Sequence, residues 1–214
     1  MHKKPLILLG GGGHCKSCID VIESIGEWEI KGILDNNFNE DERVFGYPVI
    51  GDDSYIDSLN ESHHYFLVTV GHIKSSAIRN HLFNLLEQKK ANIATIISPN
   101  AYVSKYAKVA QGTIVHHGCI INANVEIGEN NIINSSAIIE HDTVIGNHNH
   151  ISTAVTINGN VYLGNNCFIG SGSVVSNNLR ISDGVVIGAG SLVIKNIDKA
   201  GVYAGSPIKL MINE

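Results

Sequence analysis

The stretch Ile127–Gly146, IGENNIINSSAIIEHDTVIG, decides the fold, because Ile127, Ile133, Ile139 and Ile145 stand six residues apart. The same step gives Val103, Val109, Val115 and Ile121 before it. After it come Ile151, Ile157, Leu163, Ile169, Val175, Ile181, Ile187 and Val193, so sixteen aliphatic residues recur without a break. Only 43% of the chain is hydrophobic, and chance does not sustain such a series. A period of six fits neither the 3.6 of a helix nor the two of an ordinary strand. Short segments that turn every six residues instead close a triangular prism, three segments and eighteen residues to a coil, with the aliphatic residues stacked inside. Two positions before each of them stand small or β-branched residues such as Ala107, Thr113, Ala137 and Thr143. Cys119 and Cys167 share that position and read as buried spacers. Gly128, Gly146, Gly164, Gly170 and Gly188 directly follow an inward aliphatic residue, where tight corners favour a residue without a Cβ. Asn122, Asn134 and Asn158 take the same place and are expected to satisfy corner backbone groups or to adopt left-handed dihedrals.

Upstream, the period changes. Pro5–Leu9, Glu29–Leu34, Tyr47–Ile50 and Tyr65–Val70 read as strands. Helical spacing runs over Cys15–Ile25 and Ile73–Leu86, and Asp53–Leu59 reads as a short helix. Alternation of this kind makes a small parallel α/β layer. The chain therefore divides into an α/β domain over residues 1–96 and a prism over 97–214, closed by Gly201–Pro207 as a cap that ends regular pairing.

With 214 residues, two small domains are accommodated. A formal charge of -5, and no Lys or Arg between residues 111 and 179, argue against a nucleic-acid groove. The first residues are too soon interrupted by glycine for a signal peptide, and no apolar run is long enough to span a bilayer, so cytoplasmic residence is the default expectation. Cys15 and Cys18 share one helix face, where packing explains them better than redox chemistry.

Gly10-Gly11-Gly12-Gly13-His14 links the first strand to the first helix, which sets backbone N–H groups against a phosphate, while Asp35 ends the next strand within reach of a sugar hydroxyl. The third glycine of a dinucleotide fingerprint would fall at Cys15, so a nucleotide-sugar site, NAD and a plain tight turn remain open readings. In the prism, His141 stands two residues after inward Ile139 at an outer corner, where an imidazole can serve as a base. Its acidic neighbours are Glu140 and Asp142. His150 follows nine residues later, half a coil away, so the two rings meet one ligand only if prisms pack side by side, as in a trimer. His116, His117 and His148 form a zinc set to be tested, as in a γ-type carbonic anhydrase. Arg180, Lys195 and Lys199 are the cations beyond the stretch without Lys or Arg, placed to meet the phosphates of a polyanionic cofactor.

Leu8–His14, the six-residue repeat, Ser136–Asp142 and Ala204–Pro207 together resemble the sialic-acid O-acetyltransferase and bacillosamine-pathway N-acetyltransferase group of hexapeptide-repeat acyltransferases. The resemblance implies a left-handed winding of the parallel β-helix, against the usual crossover rule. It implies a homotrimeric enzyme that uses acetyl-CoA, with a site shared between chains, acting on the C4 amine of a UDP-linked 4-amino-4,6-dideoxy sugar. O-acetylation of sialic acid and N-acetylation of a dTDP-linked sugar are the neighbouring possibilities, and a non-catalytic nucleotide-binding scaffold is a remote one. By similarity, His141 is the base and Asp142, where the family commonly has Glu, its partner. His150, Gly159, Ser171 and Ala189 line the cofactor, Gly12, Gly13, His14 and Asp35 line the nucleotide-sugar pocket, and no resident metal is implied.

Overall fold

The six-residue rhythm winds into three parallel sheets. In the computed structural model, which describes residues 3–37, 42–58 and 64–211, two-residue strands follow one another around a left-handed parallel β-helix. Each strand pairs with the one eighteen residues on, so that Ile133 lies beside Ile151, Ile139 beside Ile157 and Ile145 beside Leu163. From Val115 onward the inward aliphatics are almost fully buried and form a single stacked core along the axis, against which the half-buried Val103 and Val109 pack. Each coil covers the open end of the one below, which is why a two-residue strand suffices here.

The corners have a rule of their own. At every sixth position from Gly112 to Gly190, three residues before each inward aliphatic, the backbone turns through the left-handed region, with φ between 54° and 72°. Six of these fourteen positions are Asn or Asp, which tolerate that region. The expectation of tight corners at Gly128, Gly146 and Gly164 is corrected, since none of them has positive φ. They lack a Cβ because coils stack there: a Cβ on Gly146 would lie 2.8 Å from the Gly164 carbonyl oxygen. Asn122, Asn134 and Asn158 are not left-handed either. Asn158 donates to the Val175 carbonyl and Asn134 accepts from the Ser135 N–H, so the other expected role is the one observed.

Inside the prism one column of spacers is polar. Asn131 and Asn149 are fully buried, and each donates its amide to a carbonyl (Gly146 at 2.8 Å, Gly164 at 2.9 Å) while accepting an N–H from the coil above. Cys119 and Cys167 are buried at the spacer position, as expected.

The N-terminal sheet is built from β1 (Lys4–Leu9), β2 (Trp28–Leu34), β3 (Arg43–Val44), β4 (Tyr47–Gly51), β5 (Tyr65–Val68) and β6 (Asn92–Ile93), in the order β3-β4-β2-β1-β5-β6. All pairings are parallel except that of β3 with β4. Helix α1 (Gly13–Ile25) and helix α2 (Ala77–Gln88) connect the central strands, and Asp53–Ser58 forms a 3-10 turn. Leu59, the expected end of that turn, lies outside the described residues. Helix α2 begins four residues after Ile73, which is 62% exposed and has no core to face; Ser76 takes the N-cap position instead.

The first coil starts at β7 (Ile96–Ile97), one step before Val103. At the far end, Gly201–Gly205 continues in parallel beside Val185–Ile187, and Ile208–Leu210 folds back antiparallel on it. The cap therefore extends the pairing before closing it, contrary to the expectation that pairing stops at Gly201.

The two halves are joined at Arg79 of helix α2. Its side chain is fully buried, donating to Val68 and Val70 at the end of β5 and to Asn130 and Gly112 on the prism. Burial pushes the guanidinium down to about 10, which leaves it charged at neutral pH.

Candidate active site

The glycine run opens a cleft of about 530 Å³ between the end of β1 and the prism. Gly10 has φ +104°, and a Cβ there would strike Val70 at 2.4 Å. Gly12 and Gly13 face open space, and Gly12 is the N-cap of α1 with no side chain bonded over it. The first N–H groups of the helix are thus turned toward the cleft, where helix geometry favours an anion. Asp35 holds this loop: its carboxylate accepts from the Gly11 N–H at 2.6 Å and from the Asn37 N–H at 2.8 Å. His14, Asp35, His72 and His150 all line the cleft.

His14 belongs to a chamber of imidazoles, not to a local cap. Its ring lies 5.4 Å from that of His116 and 6.1 Å from that of His150, which in turn meets His72 at 5.6 Å and Phe168 at 5.2 Å. His150 Nδ1 donates to the His72 carbonyl at 2.7 Å. Burial, aided by the Arg79 charge, holds His14 well below the usual imidazole range. Burial likewise pushes His72 and His116 down to about 4 and lowers His150.

On another corner of the prism stands His141, with 62% of its side chain exposed. Asp142 is one of the left-handed residues, φ 61°, and its carboxylate reaches back to His141 Nδ1 at 2.8 Å. Asn124, one coil below, donates to the other Asp142 oxygen at 2.8 Å. Asn124 and then His141 hold the Asp142 carboxyl below the ordinary range. Because Nδ1 donates to a carboxylate, Nε2 is left as the acceptor nitrogen of the ring. Glu140 is engaged elsewhere, accepting from Asn122 at 2.9 Å. Gly159, one coil above, leaves the space that the ring fills: a Cβ there would lie 2.8 Å from His141 Nε2.

The expected site residues thus fall into three groups. His141, Asp142 and Gly159 share one corner. Gly12, Gly13, His14, Asp35 and His150 share the cleft. Ser171 and Ala189 are exposed, one coil apart, on the corner that follows the strand containing His150, and Ser171 Oγ bonds Ser152 Oγ at 2.8 Å. The proposed zinc set does not converge: His116 packs on His14, His117 bonds Ser98 and Asp20, and His148 meets Phe83 and Asn130. Ser98, His117 and Asp20 have the connectivity of a hydrolase triad, but Ser98 is 1% exposed and its hydroxyl also accepts the Asn100 N–H, so the group clamps α1 to the first coils. Sequence reasoning missed His72 and Arg79, whose partners lie far away along the chain. No described helix is long and apolar enough to cross a membrane.

Comparison with known proteins assigns residues 5–86 to the PglD N-terminal domain and residues 142–177 to the bacterial transferase hexapeptide repeats. No curated protein sequence matches. Among solved structures, the acetyltransferase domain of PglB from Neisseria gonorrhoeae is 26% identical, with a TM-score of 0.91 over 98% of this chain and 100% of that one. A histidine-to-asparagine variant of perosamine N-acetyltransferase from Caulobacter crescentus, in complex with CoA and GDP-perosamine, is 28% identical, with a TM-score of 0.91 over 98% and 97%. PerB from the same organism, also with CoA and GDP-perosamine, is 29% identical, with a TM-score of 0.89 over 97% of each chain. The two Caulobacter relatives correct the expectation of a UDP-linked sugar, since the nucleotide sugar in them is a GDP sugar. The physical reason is plain: a helix N-terminus offers backbone N–H groups to any phosphate, and nothing in it distinguishes uracil from guanine. An N-terminal PglD domain set on a left-handed coil of hexapeptide repeats, alike over nearly the whole length of each of these structures, places the chain in the family of hexapeptide-repeat acyltransferases.

Proposed function

We propose that the chain transfers the acetyl group of acetyl-CoA to the amine of a nucleotide-linked 4-amino-4,6-dideoxy sugar, with a GDP sugar as the first candidate. The observation that carries this reading is the His141–Asp142 pair: Nδ1 fixed by a carboxylate at 2.8 Å, Nε2 free, and the ring exposed on the prism wall. Acetyl-CoA supplies a thioester carbonyl open to attack. His141 Nε2 takes the proton that the amine loses as it forms the C–N bond, and Asp142 stabilises the imidazolium that results. The column of positions 141, 159, 177 and 195 runs up the same wall, with Gly159 above the ring and Lys195 three coils on. At about 4.8 Å per coil that is about 14 Å, a distance suited to a cation meeting the phosphates of an extended cofactor.

Residues 1–96 hold the nucleotide sugar, through Gly12, Gly13, His14 and Asp35, and residues 97–214 carry out the transfer. The relatives solved with CoA and GDP-perosamine are perosamine N-acetyltransferases, which supports an amine as acceptor. His141 and the cleft with His150 lie on different faces of one prism, since their strands belong to different sheets. A working site thus takes His141 from one copy and His150, Ser171 and Ala189 from its neighbour. Incubation with acetyl-CoA and a panel of GDP-, dTDP- and CMP-linked sugars, read by mass spectrometry, tests the reaction. An amide on an amino sugar is expected, and ester formation on a hydroxyl with no amide would overturn it. Mixing His141→Ala with Asp35→Ala protein tests the sharing, since restored activity requires sites built from two chains.

A further inference from the structure

We infer that His14, Cys18 and His116 form a zinc site where helix α1 meets the prism. One ligand atom of each lies within 4.8 Å of the others. His14 and Cys18 stand four residues apart on one face of α1, and His116 approaches from the coil opposite. Among the described residues no hydrogen bond occupies the two histidine Nε2 atoms, and zinc on His14 Nε2 leaves the His14 backbone N–H, in the first turn of α1, to the sugar cleft. His116 is 1% exposed and Cys18 fully buried, and the Nε2 atoms of both histidines are buried without a hydrogen-bond partner. A buried imidazole nitrogen with no partner is uncommon in a folded protein, and a metal ion is one of the groups that satisfies it. Two nitrogens and one sulfur suit Zn2+, whose tetrahedral shell brings ligand atoms to about 3.3–3.8 Å of one another. Small side-chain rotations close the remaining gap, and water takes the fourth position.

Imidazole coordinates in its neutral form. Zinc displaces the proton of the Cys18 thiol, which leaves to solvent, and the thiolate offsets one of the two metal charges. Held in this way, the ion ties the first helix to the prism beneath the loop that carries Gly12 and Gly13.

The test uses tag-free, full-length protein loaded with Co2+ or Zn2+ and passed through gel filtration. One metal per chain is expected, and the cobalt form should absorb in the near ultraviolet through thiolate-to-metal charge transfer, which identifies Cys18 without any variant. X-ray absorption on the zinc form should show one sulfur and two imidazole nitrogens. Cys18→Ser should abolish the charge-transfer band, and Cys18→Ser and His116→Gln should each weaken binding at least tenfold, while His117→Gln should leave it unchanged. Retention of less than stoichiometric metal by the natural chain, or a shell without sulfur, would overturn the assignment. The readout is metal content and ligand identity, so failure of acetyl transfer leaves it untouched.

Discussion

At the His141 corner an imidazole projects into solvent beside a carboxylate and below a glycine. In the chamber beneath helix α1, His72, His116 and His150 are no more than 8% exposed, His72 packing on His150 and both His116 and His150 on His14. Water and Asp142 can stabilise a proton arriving on the first ring. Burial and the Arg79 charge exclude one from the second group. On the proposed mechanism the same side chain is therefore a base in one place and a neutral packing group in the other, according to where the prism puts it.

The largest effect that would separate the two regions is on turnover. His141→Ala should lower kcat by about 10²–10⁴-fold, the usual worth of a positioned base, while gel filtration and sugar binding change little. An unchanged kcat would remove the corner from the chemistry. Arg79→Leu should act on stability alone, lowering it by about 3 kcal/mol in urea unfolding, because four carbonyls lose their donor at once. Asp142→Asn should fall between silence and loss, about 10–10²-fold in kcat, well short of the roughly 10⁴-fold cost in a buried triad because water reaches this pair. Rescue in Asp142→Glu would mark the carboxylate as the active feature.

The smallest effect concerns pH. His72 has a folded pKa of about 4 against an ordinary 6.5, so above pH 6.5 both folded and unfolded forms are neutral and stability is full. As pH falls from 6.5 to 4 the unfolded chain takes a proton that the folded chain refuses, and about 1 kcal/mol is lost per pH unit. Unfolding of His72→Leu over that range should show a shallower slope, and an identical slope would mean that His72 takes up its proton without unfolding.

What the sequence revealed followed the distance over which its causes act. Sixteen aliphatics at a fixed step define the coil because each is buried by neighbours at a constant separation, and no other fold repays that spacing. Both carboxylates beside His141 were visible, and spacing and the family resemblance pointed to Asp142, but the cause lies in the corner: its left-handed backbone folds the side chain back onto the ring. The chamber was hidden. His14 meets His116 across 102 positions of chain, and Arg79 reads as an ordinary helix charge until the carbonyls of Val68 and Asn130 are seen around it. The nucleotide was beyond reach because glycine N–H groups bind any diphosphate.

The left-handed residue at every sixth position turns the prism into a ruler. Length can be added or removed only in whole coils, since an insertion of one residue would carry every later inward side chain out to solvent and every corner onto a face. Deleting the eighteen residues 161–178 would keep every column and bring Lys195 one coil closer to His141. The reach of a bound acyl carrier is thereby set in graduations, and the chain offers a way to measure it.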